Sequence, residues 1–444
     1  MTPKSTRIKK DKVPKNILQK LNKIPFNRYA VESRFKRREE KKISGKILLL
    51  AFILMALQGK NTFQQWSEQM AMLIGETVSK QGLWERVTDR LTQFLILVLR
   101  DALKQQATCI HSHARKCGSL TRYKRVLIQD STTIALPSWL TWCFPGNVSK
   151  GEKKAQLKIQ VIYDVIHNRF IYFEITPFTA NDQSQSKKVL SIANGNDLVL
   201  RDLGYFGLPC FREMFCLGIT FISRFQYGVK VYDIETGKEI NMLKEIRKNK
   251  GIDRWVMLGS EAKLKVRLVA MALPSQQANE RRRKAKGNRD KRLNHSKEYY
   301  ALLGYSIFIT SEPETTLTPK QILDIYGLRW RIENIFKCWK SHFFLQKLIP
   351  AQCSLTKHRA EAIIYMMLIF ITVFQVNIYN FILMKAENTE ECRISLCKLC
   401  RYIANNLSLF LEKDISSLLS QINYYCSYDK RKDRMNFVQK VHLT

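Results

Sequence analysis

The chain has 444 residues, and its 74 lysines and arginines against 38 acidic residues give a formal net charge of +36. A hydrophobic fraction of 45% is typical of a globular protein with a substantial core. So large a positive charge repels itself unless a polyanion neutralises it, which favours nucleic acid as the partner. An anionic membrane surface is the alternative, and a generally basic, ribosome-associated protein is a third reading.

The cysteines and the N-terminal residues favour a protein that is not secreted. Eleven cysteines are scattered without regular pairing, and the polar, charged N-terminus has no early apolar core, so we expect a reduced, cytoplasmic and nucleoid-associated protein. Four cysteines have a spacing that resembles a plant-type iron–sulfur motif. Apolar residues recur around them at helical intervals, which favours a helix with buried thiols instead. These cysteines are Cys392, Cys397, Cys400 and Cys426.

One segment, Ile363 to Met384, is about long enough to span a bilayer. It contains Gln375, Asn377 and Asn380, and the charged residues Arg359 and Glu361 lie just upstream. These polar groups favour a buried core helix, so we expect no membrane partner.

The first part of the chain reads as a flexible basic arm over 1–24, followed by a helical DNA-binding domain over 25–117. Phe63 to Leu91 resembles a helix-turn-helix, with Gly75 at the turn and a second helix over Val78 to Arg90. Lys80 and Arg86 of that second helix would face a DNA groove. The alternative is an ordinary helical hairpin.

Strand-like segments begin after residue 118 and predict a mixed α/β core over 118–225 and 305–345. Two of them end at acidic residues, because Arg125 to Gln129 precedes Asp130 and Asp197 to Arg201 precedes Asp202. The other predicted strands are Leu157 to Val165, Arg169 to Thr176, Ile219 to Arg224 and Tyr305 to Thr310.

Residues 226–304 interrupt this core as a β-rich insertion with strands such as Leu264 to Ala272. The insertion ends in a basic run that continues to Arg292 and begins with Arg281, Arg282, Arg283 and Lys284. A charge run is usually a solvated loop, but the overall charge favours contact with phosphates. The remainder, 346–444, is predicted to be helical, to complete the core and to support dimerisation.

Asp130 and Asp202 are candidate metal ligands because a strand anchored in a core holds its terminal side chain rigidly. Mg²⁺ prefers a few carboxylate oxygens and accepts substrate phosphate as a further ligand. Two such ions about 3.5–4 Å apart activate a water or a 3′-hydroxyl and stabilise the leaving oxygen. Each aspartate alone is also a common residue in the turn after a strand.

A predicted helix over Pro319 to Phe344 carries a third candidate. At about 100° per residue, Tyr326, Arg329, Glu333 and Lys340 fall within an arc of about 60°, beside an apolar stripe. In this column the glutamate suits a metal ion and its neighbours suit phosphate oxygens. Alternatively, Arg329 and Glu333 form a surface ion pair worth a few tenths of a kcal/mol.

These residues resemble a known family. Tyr326-x2-Arg329-x3-Glu333-x6-Lys340 matches the Y-x2-R-x3-E-x6-K signature of bacterial insertion-sequence transposases, which have a ribonuclease H-like core and a DDE triad. The regions around Asp130 and Asp202 resemble that family's first and second aspartate regions, and the resemblance covers roughly residues 25–345.

The resemblance implies that Asp130, Asp202 and Glu333 hold two Mg²⁺ ions, which Mn²⁺ can replace. It implies cut-and-paste transposition by a homodimer on double-stranded DNA, including the inverted-repeat ends and the target, with a hairpin intermediate. Tyr326 and the other signature residues would grip phosphates near the cut. Hairpin-forming relatives also stack a flipped base on an aromatic residue. Tyr305 lies near the equivalent strand, and Trp255 is another candidate.

Three alternatives remain at this stage. The first is a DNA-binding protein derived from a transposase that has lost catalysis. The second is a structure-specific nuclease on the same fold, and the third is a membrane-surface protein that binds anionic vesicles.

Overall fold

The structure, a computed structural model, describes residues 17–36, 43–108, 118–149, 151–261, 263–287, 296–351, 356–386 and 394–428. The predicted basic arm lies outside these ranges except for residues 17–24. The end of the predicted basic run, 288–292, and Cys392 also lie outside them.

A single sheet of ten strands organises the described part of the chain. Its strands are β1 Arg125–Leu136, β2 Pro145–Ser149, β3 Glu152–Asp164, β4 Arg169–Pro177, β5 Asp197–Arg201, β6 Thr220–Arg224, β7 Val231–Tyr232, β8 Ile252–Leu258, β9 Leu264–Ala272 and β10 Tyr305–Thr310.

The first half of the sheet has the order β2-β3-β1-β5-β6, and β4 also pairs with β3. Strand β3 pairs antiparallel with both β1 and β4, whereas β5 pairs parallel with β1 and β6 pairs parallel with β5. Two parallel strands added beside an antiparallel three-stranded meander form the ribonuclease H-like arrangement. The expected mixed α/β fold is therefore confirmed.

The second half continues the same sheet. Strand β10 pairs antiparallel with β6 and β9, and β8 and β7 follow towards the far edge. Residues 226–304 thus extend the central sheet instead of forming a separate one. They also contain three helices, and the basic residues Arg281 to Lys286 belong to one of them.

The helices lie before, between and after the strands. They are α1 Ile17–Leu21, α2 Phe26–Glu32, α3 Gly45–Leu57, α4 Phe63–Ile74, α5 Lys80–Arg86, α6 Asp89–Thr108, α7 Leu208–Cys216, α8 Met242–Asn249, α9 Ser275–Lys286, α10 Lys297–Leu302, α11 Pro319–Gly327, α12 Trp330–Ser341, α13 Lys357–Phe374, α14 Asn380–Ala386, α15 Leu396–Asn405, α16 Leu407–Glu412 and α17 Leu419–Cys426. A π-helical turn, Gln375–Tyr379, joins α13 to α14.

Alternating strand residues bury themselves in two cores on opposite faces of the sheet. The larger core takes Val126, Ile128 and Leu200, and it contains the N-terminal helices, α11, α12 and the C-terminal helices. The smaller core takes Leu127 and Val199 and lies against α7 and α8. This alternation puts Asp130 and Asp202 on the face of the larger core.

Strand β1 is longer than predicted, and the prediction that it ends at Asp130 was wrong. It continues to Leu136, because its antiparallel pairing with β3 runs on from Asp130 to Leu136. Its parallel pairing with β5 does end at Gln129 opposite Arg201. Asp130 therefore lies where one neighbouring strand stops, which opens the sheet beside its carboxylate.

The predicted single helix over Pro319 to Phe344 is divided into α11 and α12. Backbone hydrogen bonds at the junction run from each N–H to the carbonyl three residues earlier, at Leu328, Arg329, Arg331 and Ile332. This tighter winding is that of a 3₁₀ turn. Phe344 has a positive φ of 53°, and the helix has already ended at Ser341.

The N-terminal and C-terminal helices match several predictions. Gly75 closes α4 in the left-handed conformation, and α5 is shorter than the predicted second helix of the helix-turn-helix. The segment from Ile363 is a buried core helix, as expected. No helix among the described residues combines the length and apolar character needed to cross a membrane.

The helix α15 carries two of the cysteines with iron–sulfur-like spacing. Cys400, Leu399 and Ile403 are buried, which agrees with the predicted helix of buried thiols. The Sγ of Cys397 lies 2.7 Å from that of Cys338 in α12.

Candidate active site

Three carboxylates far apart in the sequence converge on one guanidinium. Arg329 donates from Nη1 to Oδ2 of Asp130 at 3.1 Å and from Nη2 to Oε1 of Glu333 at 2.6 Å. Its Nε lies 3.9 Å from Oδ1 of Asp202. Asp130 comes from the middle of β1, Asp202 directly follows β5, and Glu333 lies in the first turn of α12. The structure thus brings together all three residues of the predicted triad.

Arg329 is the most buried member of this group. Its side chain is 9% exposed, compared with 18% for Asp130, 37% for Asp202 and 43% for Glu333. Burial disfavours the charged guanidinium, but Tyr326 and the three carboxylates outweigh burial and raise the pKa of Arg329. A cation in this position is therefore held by the negative charge around it.

The buried carboxyl of Asp130 has an unusual protonation equilibrium. Burial raises its pKa to about 7, although Arg329 and the backbone N–H of Ser131 act in the opposite direction. The neighbouring Asp202 and Glu333 raise the pKa further, because like charges repel. A second positive charge at this point would stabilise the ionised form.

Tyr326 packs beneath the carboxylates at the end of α11. Its ring lies against Phe308 of β10, with 4.9 Å between ring centroids, and the Arg329 guanidinium lies 5.8 Å from the ring centroid. Its hydroxyl donates to the backbone O of Arg201 at 3.2 Å and reaches Oδ1 of Asp202 at 3.5 Å. Burial raises the pKa of this phenol, which therefore remains a hydrogen-bond donor.

The chemistry of the donor set suits a hard divalent cation, because all three acidic groups offer carboxylate oxygens. As arranged here, the acidic, histidine and cysteine side chains of the described residues form no cluster of three that could hold an ion. Arg329 occupies the centre of the triad instead. Its buried Nε has no hydrogen-bond partner, so the guanidinium satisfies this centre incompletely. The residues present fit a divalent cation by charge and by donor type.

The sequence did not predict the side chains that hold the two aspartates in position. Arg201, fully buried behind the site, donates from Nη2 to Oε1 of Gln129 at 3.2 Å and to the backbone O of Ser186 at 3.0 Å. Gln129 precedes Asp130 as Arg201 precedes Asp202, so this bond joins the two strands directly beside the carboxylates. The signal in the sequence was the polar residue before each aspartate, within otherwise apolar strands.

The other predicted signature residue, Lys340, lies in the last turn of α12. It is half-buried, and burial lowers the pKa of its ammonium. Seven residues of helix put it about 10 Å along the axis from Glu333. It is thus separate from the cluster around Arg329.

The two aromatic candidates differ in their surroundings. Tyr305 begins β10 and is half-buried, and its backbone O accepts from Nη1 of Arg281 at 3.1 Å. Trp255 lies in β8, where its Nε1 donates to Oε2 of Glu314 at 3.1 Å. Among the hydrogen bonds and ion pairs of the described residues, none joins either side chain to Asp130, Asp202 or Glu333.

The predicted DNA-binding residues outside the signature divide into two groups. Arg281 and Arg282 are half-buried and bind backbone oxygens of Tyr305 and Tyr300. The remaining four are exposed, and Lys284 forms an ion pair with Glu280. These exposed residues are Arg283 and Lys284 in α9, and Lys80 and Arg86 in α5.

A ribonuclease H-like sheet with three carboxylates gathered where the parallel pairing of β1 with β5 ends defines a class of protein that acts on nucleic acids. Comparison with known families then identifies the chain within that class. A family model described as "Transposase DDE domain" matches residues 122–372, which is more than half of the chain. The chain belongs to this family, and the resemblance seen in the sequence is confirmed.

Named relatives are transposases of bacterial insertion sequences. The transposase of IS231B from Bacillus thuringiensis subsp. berliner is 27% identical over 327 residues, covering 69% of this chain and 68% of the relative. The transposase of IS231F from subsp. israelensis is 25% identical over 431 residues, covering 91% and 88%. The transposase of IS1151 from Clostridium perfringens is 24% identical, covering 75% and 74%.

Among the solved structures that match, one is similar over most of this chain. It is a piggyBac transposase synaptic complex with hairpin DNA, with a TM-score of 0.43 and 11% sequence identity, covering 94% of this chain and 84% of that one. The family and the relatives establish a DDE transposase that acts in DNA transposition.

Proposed function

We propose that the chain is an active transposase that cuts the ends of its own insertion sequence and joins them to target DNA. The observation that carries the proposal is the convergence of Asp130, Asp202 and Glu333 on Arg329. An inactive derivative would be under no selection to keep three carboxylates around one buried cation. A structure-specific nuclease would need the same carboxylates, but it would not depend on terminal inverted repeats.

In this proposal Asp130, Asp202 and Glu333 hold two divalent cations, with Mg²⁺ as the physiological ion and Mn²⁺ as a substitute. Bound there, the ions would activate a water or the 3′-hydroxyl of the DNA as nucleophile at neutral pH and would stabilise the leaving oxygen. Arg329 leaves the centre of the triad and donates to a phosphate oxygen of the strand. Tyr326 keeps its phenolic proton and directs it at the Asp202 side of the site.

The protein provides rigidity as well as ligands. Asp130 lies within a paired strand, and the Arg201–Gln129 hydrogen bond fixes β5 against β1 beside both aspartates. Preorganised carboxylates lose little conformational freedom when they bind ions and substrate. Lys340 and the exposed cations of α5 and α9 hold the flanking phosphates, and two copies of the chain pair the two ends.

We further propose that cleavage proceeds through a hairpin at the transposon end. The 3′-hydroxyl released by the first cut attacks the opposite strand, and a water then opens the hairpin. Tyr305, near the expected strand position, would stack on the flipped base, and Trp255 is the other candidate for that role. A denaturing gel of the reaction distinguishes hairpin ends from linear ends.

The decisive test removes one carboxylate charge at a time. Asp130→Asn, Asp202→Asn and Glu333→Gln each lose a charged metal ligand while keeping side-chain size, so cleavage of a duplex bearing the terminal repeat should fall by about 1000-fold or more. Binding to the same duplex should change little, since the positive surface is intact.

The matched control is Asp414→Asn, which removes a carboxylate before a short turn far along the chain. It should cleave at the wild-type rate. Cleavage retained by Glu333→Gln would remove Glu333 from the triad and the proposed mechanism with it. Cleavage of branched DNA in preference to repeat ends would favour the nuclease instead.

A further inference from the structure

Arg224 stands in line with the two aspartates on the sheet. Gln129 of β1 pairs with Arg201 of β5, which pairs with Ser223 of β6. The residues that follow these three in the chain are Asp130, Asp202 and Arg224. They therefore lie side by side, at the same position along the strand direction. Neighbouring strands lie about 4.8 Å apart, so the backbone of Arg224 is about 5 Å from that of Asp202 and about 10 Å from that of Asp130.

Arg224 also belongs to the same face of the sheet as the aspartates. Ile222, two residues before it, packs in the larger core, as do Ile128 before Asp130 and Leu200 before Asp202. Side chains two residues apart in a strand share a face. The cation is thus on the side of the sheet covered by α11 and α12.

No acidic side chain among the described residues forms an ion pair with Arg224. Arg125 and Arg267, also in the sheet, do have such partners, since Arg125 pairs with Asp197 and Arg267 pairs with Asp253. Arg224 is half-buried, so a partner would stabilise its charge. The end of β6 beside Asp202 therefore carries a cation that no carboxylate of the described residues neutralises.

A second guanidinium lies close to it. Arg281 is half-buried and donates from Nη1 to the backbone O of Tyr305, and burial together with the charge of Arg224 lowers its pKa. Arg224 also lowers the pKa of Tyr326, opposing the effect of burial on that phenol. Arg224 and Arg281 are thus two neighbouring like charges, neither of them paired with a carboxylate of the described residues, and an anion between them would relieve their repulsion.

We propose that Arg224 binds a backbone phosphate of the DNA strand that is cut, on the side of the active site beyond Asp202. This deepens the proposed function and rests on it. A guanidinium binds two phosphate oxygens at once through its planar fork, which gives direction as well as charge. Arg224 and Arg329 would then hold the strand at separate phosphates, so that it crosses the carboxylates in a fixed register.

The test combines Arg224→Gln with single uncharged phosphates in the DNA. A series of duplexes bearing the terminal repeat each carry one methylphosphonate near the cleavage site. Wild type should cut the duplex modified at the contacted phosphate about 10- to 100-fold more slowly than the unmodified one. Arg224→Gln should cut unmodified DNA about as slowly, and the same methylphosphonate should slow it little further.

Two more variants guard the interpretation. Arg212→Gln removes an exposed arginine of α7 on the opposite face, and it should retain wild-type rates and the full methylphosphonate effect. Arg224→Lys keeps the charge without the fork, and it should show an intermediate rate with a reduced effect at the same phosphate. If thermal unfolding shows that Arg224→Gln is not folded, the methylphosphonate effect on Arg224→Lys decides whether Arg224 contacts the phosphate.

The outcomes separate this proposal from the proposed function. If every methylphosphonate slows wild type and the Arg224 variants by the same factor, Arg224 contacts no phosphate and the proposal is overturned. If wild type itself cuts no terminal repeat, the proposed function fails and this proposal falls with it.

Discussion

At the scale of single residues, the main feature is that Arg329 stands where the three carboxylates meet. One guanidinium neutralises part of the charge of Asp130, Asp202 and Glu333 in the described structure. The sequence placed Arg329 beside Glu333 on one helix face, but the same spacing also predicted an ordinary ion pair on the surface. The side chain is almost entirely buried, which periodicity along one helix cannot reveal, because the burial comes from strands more than a hundred residues away.

We predict that Arg329→Gln unfolds a few degrees below wild type when metal ions are chelated. The three carboxylates then repel one another without a cation, and the loss is about 1–2 kcal/mol because Asp202 and Glu333 are more than a third exposed. Adding Mg²⁺ should restore more stability to the variant than to wild type, since the ion substitutes for the lost charge. Thermal unfolding with and without Mg²⁺ measures both effects.

The control for that experiment is Lys337→Gln, an exposed lysine of the same helix. It should unfold at the wild-type temperature and respond to Mg²⁺ as wild type does. An Arg329→Gln protein as stable as wild type in chelator would show that Arg329 does not compensate the triad.

At the scale of elements, the sequence predicted most strands well and one helix poorly. Strands β9 and β10 have the bounds that alternation predicted, because each lies inside a sheet and its apolar residues face a core. Strand β1 extended past Asp130 because β3 continued to pair with it, which is information from a distant partner. The break between α11 and α12 follows directly after Gly327, a residue that weakens a helix but is tolerated inside one, so the apolar periodicity alone predicted one regular helix.

The start of α11 offers a test of how far the active site depends on its helix. Thr318 accepts from the backbone N of Gln321, and Gln321 in turn accepts from the backbone N of Thr318, forming a capping box. Thr318→Ala should cost about 1 kcal/mol, because it leaves donors of the first turn unsatisfied. A thermal shift of about 1–2 °C is expected, because the entropy of unfolding grows with chain length.

Thr318→Ser keeps the oxygen and should unfold close to wild type. Cleavage by Thr318→Ala should fall only slightly at temperatures well below its transition, since Tyr326 is also held by Phe308 and Arg201. A loss of cleavage as large as that of a carboxylate variant would show that the capping box positions the active site.

At the scale of the whole molecule, composition and the family signature predicted the class of protein. Where the positive charges lie in the fold was seen only in the structure. A net charge of +36 does not say which cations face DNA. Arg281 was predicted to contact phosphate, yet it binds the backbone of β10, whereas Arg224 was not singled out at all. The pairing of β5 with β6 is a tertiary contact that no local pattern encodes, so the sequence did not predict that Arg224 aligns with the two aspartates.

The sheet also joins parts of the chain that the sequence separated. Residues 226–304 were predicted as an insertion that interrupts the core, and their strands continue the central sheet through β10. Strand β10 connects this extension to β6, and its Phe308 packs against Tyr326 beneath the carboxylates, so the junction lies beside the active site.

The central claim is that the three carboxylates hold the catalytic ions, and replacing one oxygen ligand by sulfur tests it most directly. Mg²⁺ requires hard oxygen ligands, whereas Mn²⁺ accepts a thiolate more readily. Asp202→Cys should therefore lose cleavage in Mg²⁺ and recover part of it in Mn²⁺, raising the ratio of Mn²⁺ to Mg²⁺ activity at least about 10-fold over wild type. Asp202→Ser, without the thiol, should show no recovery. A ratio for Asp202→Cys equal to that of wild type would contradict the claim that Asp202 binds the catalytic metal.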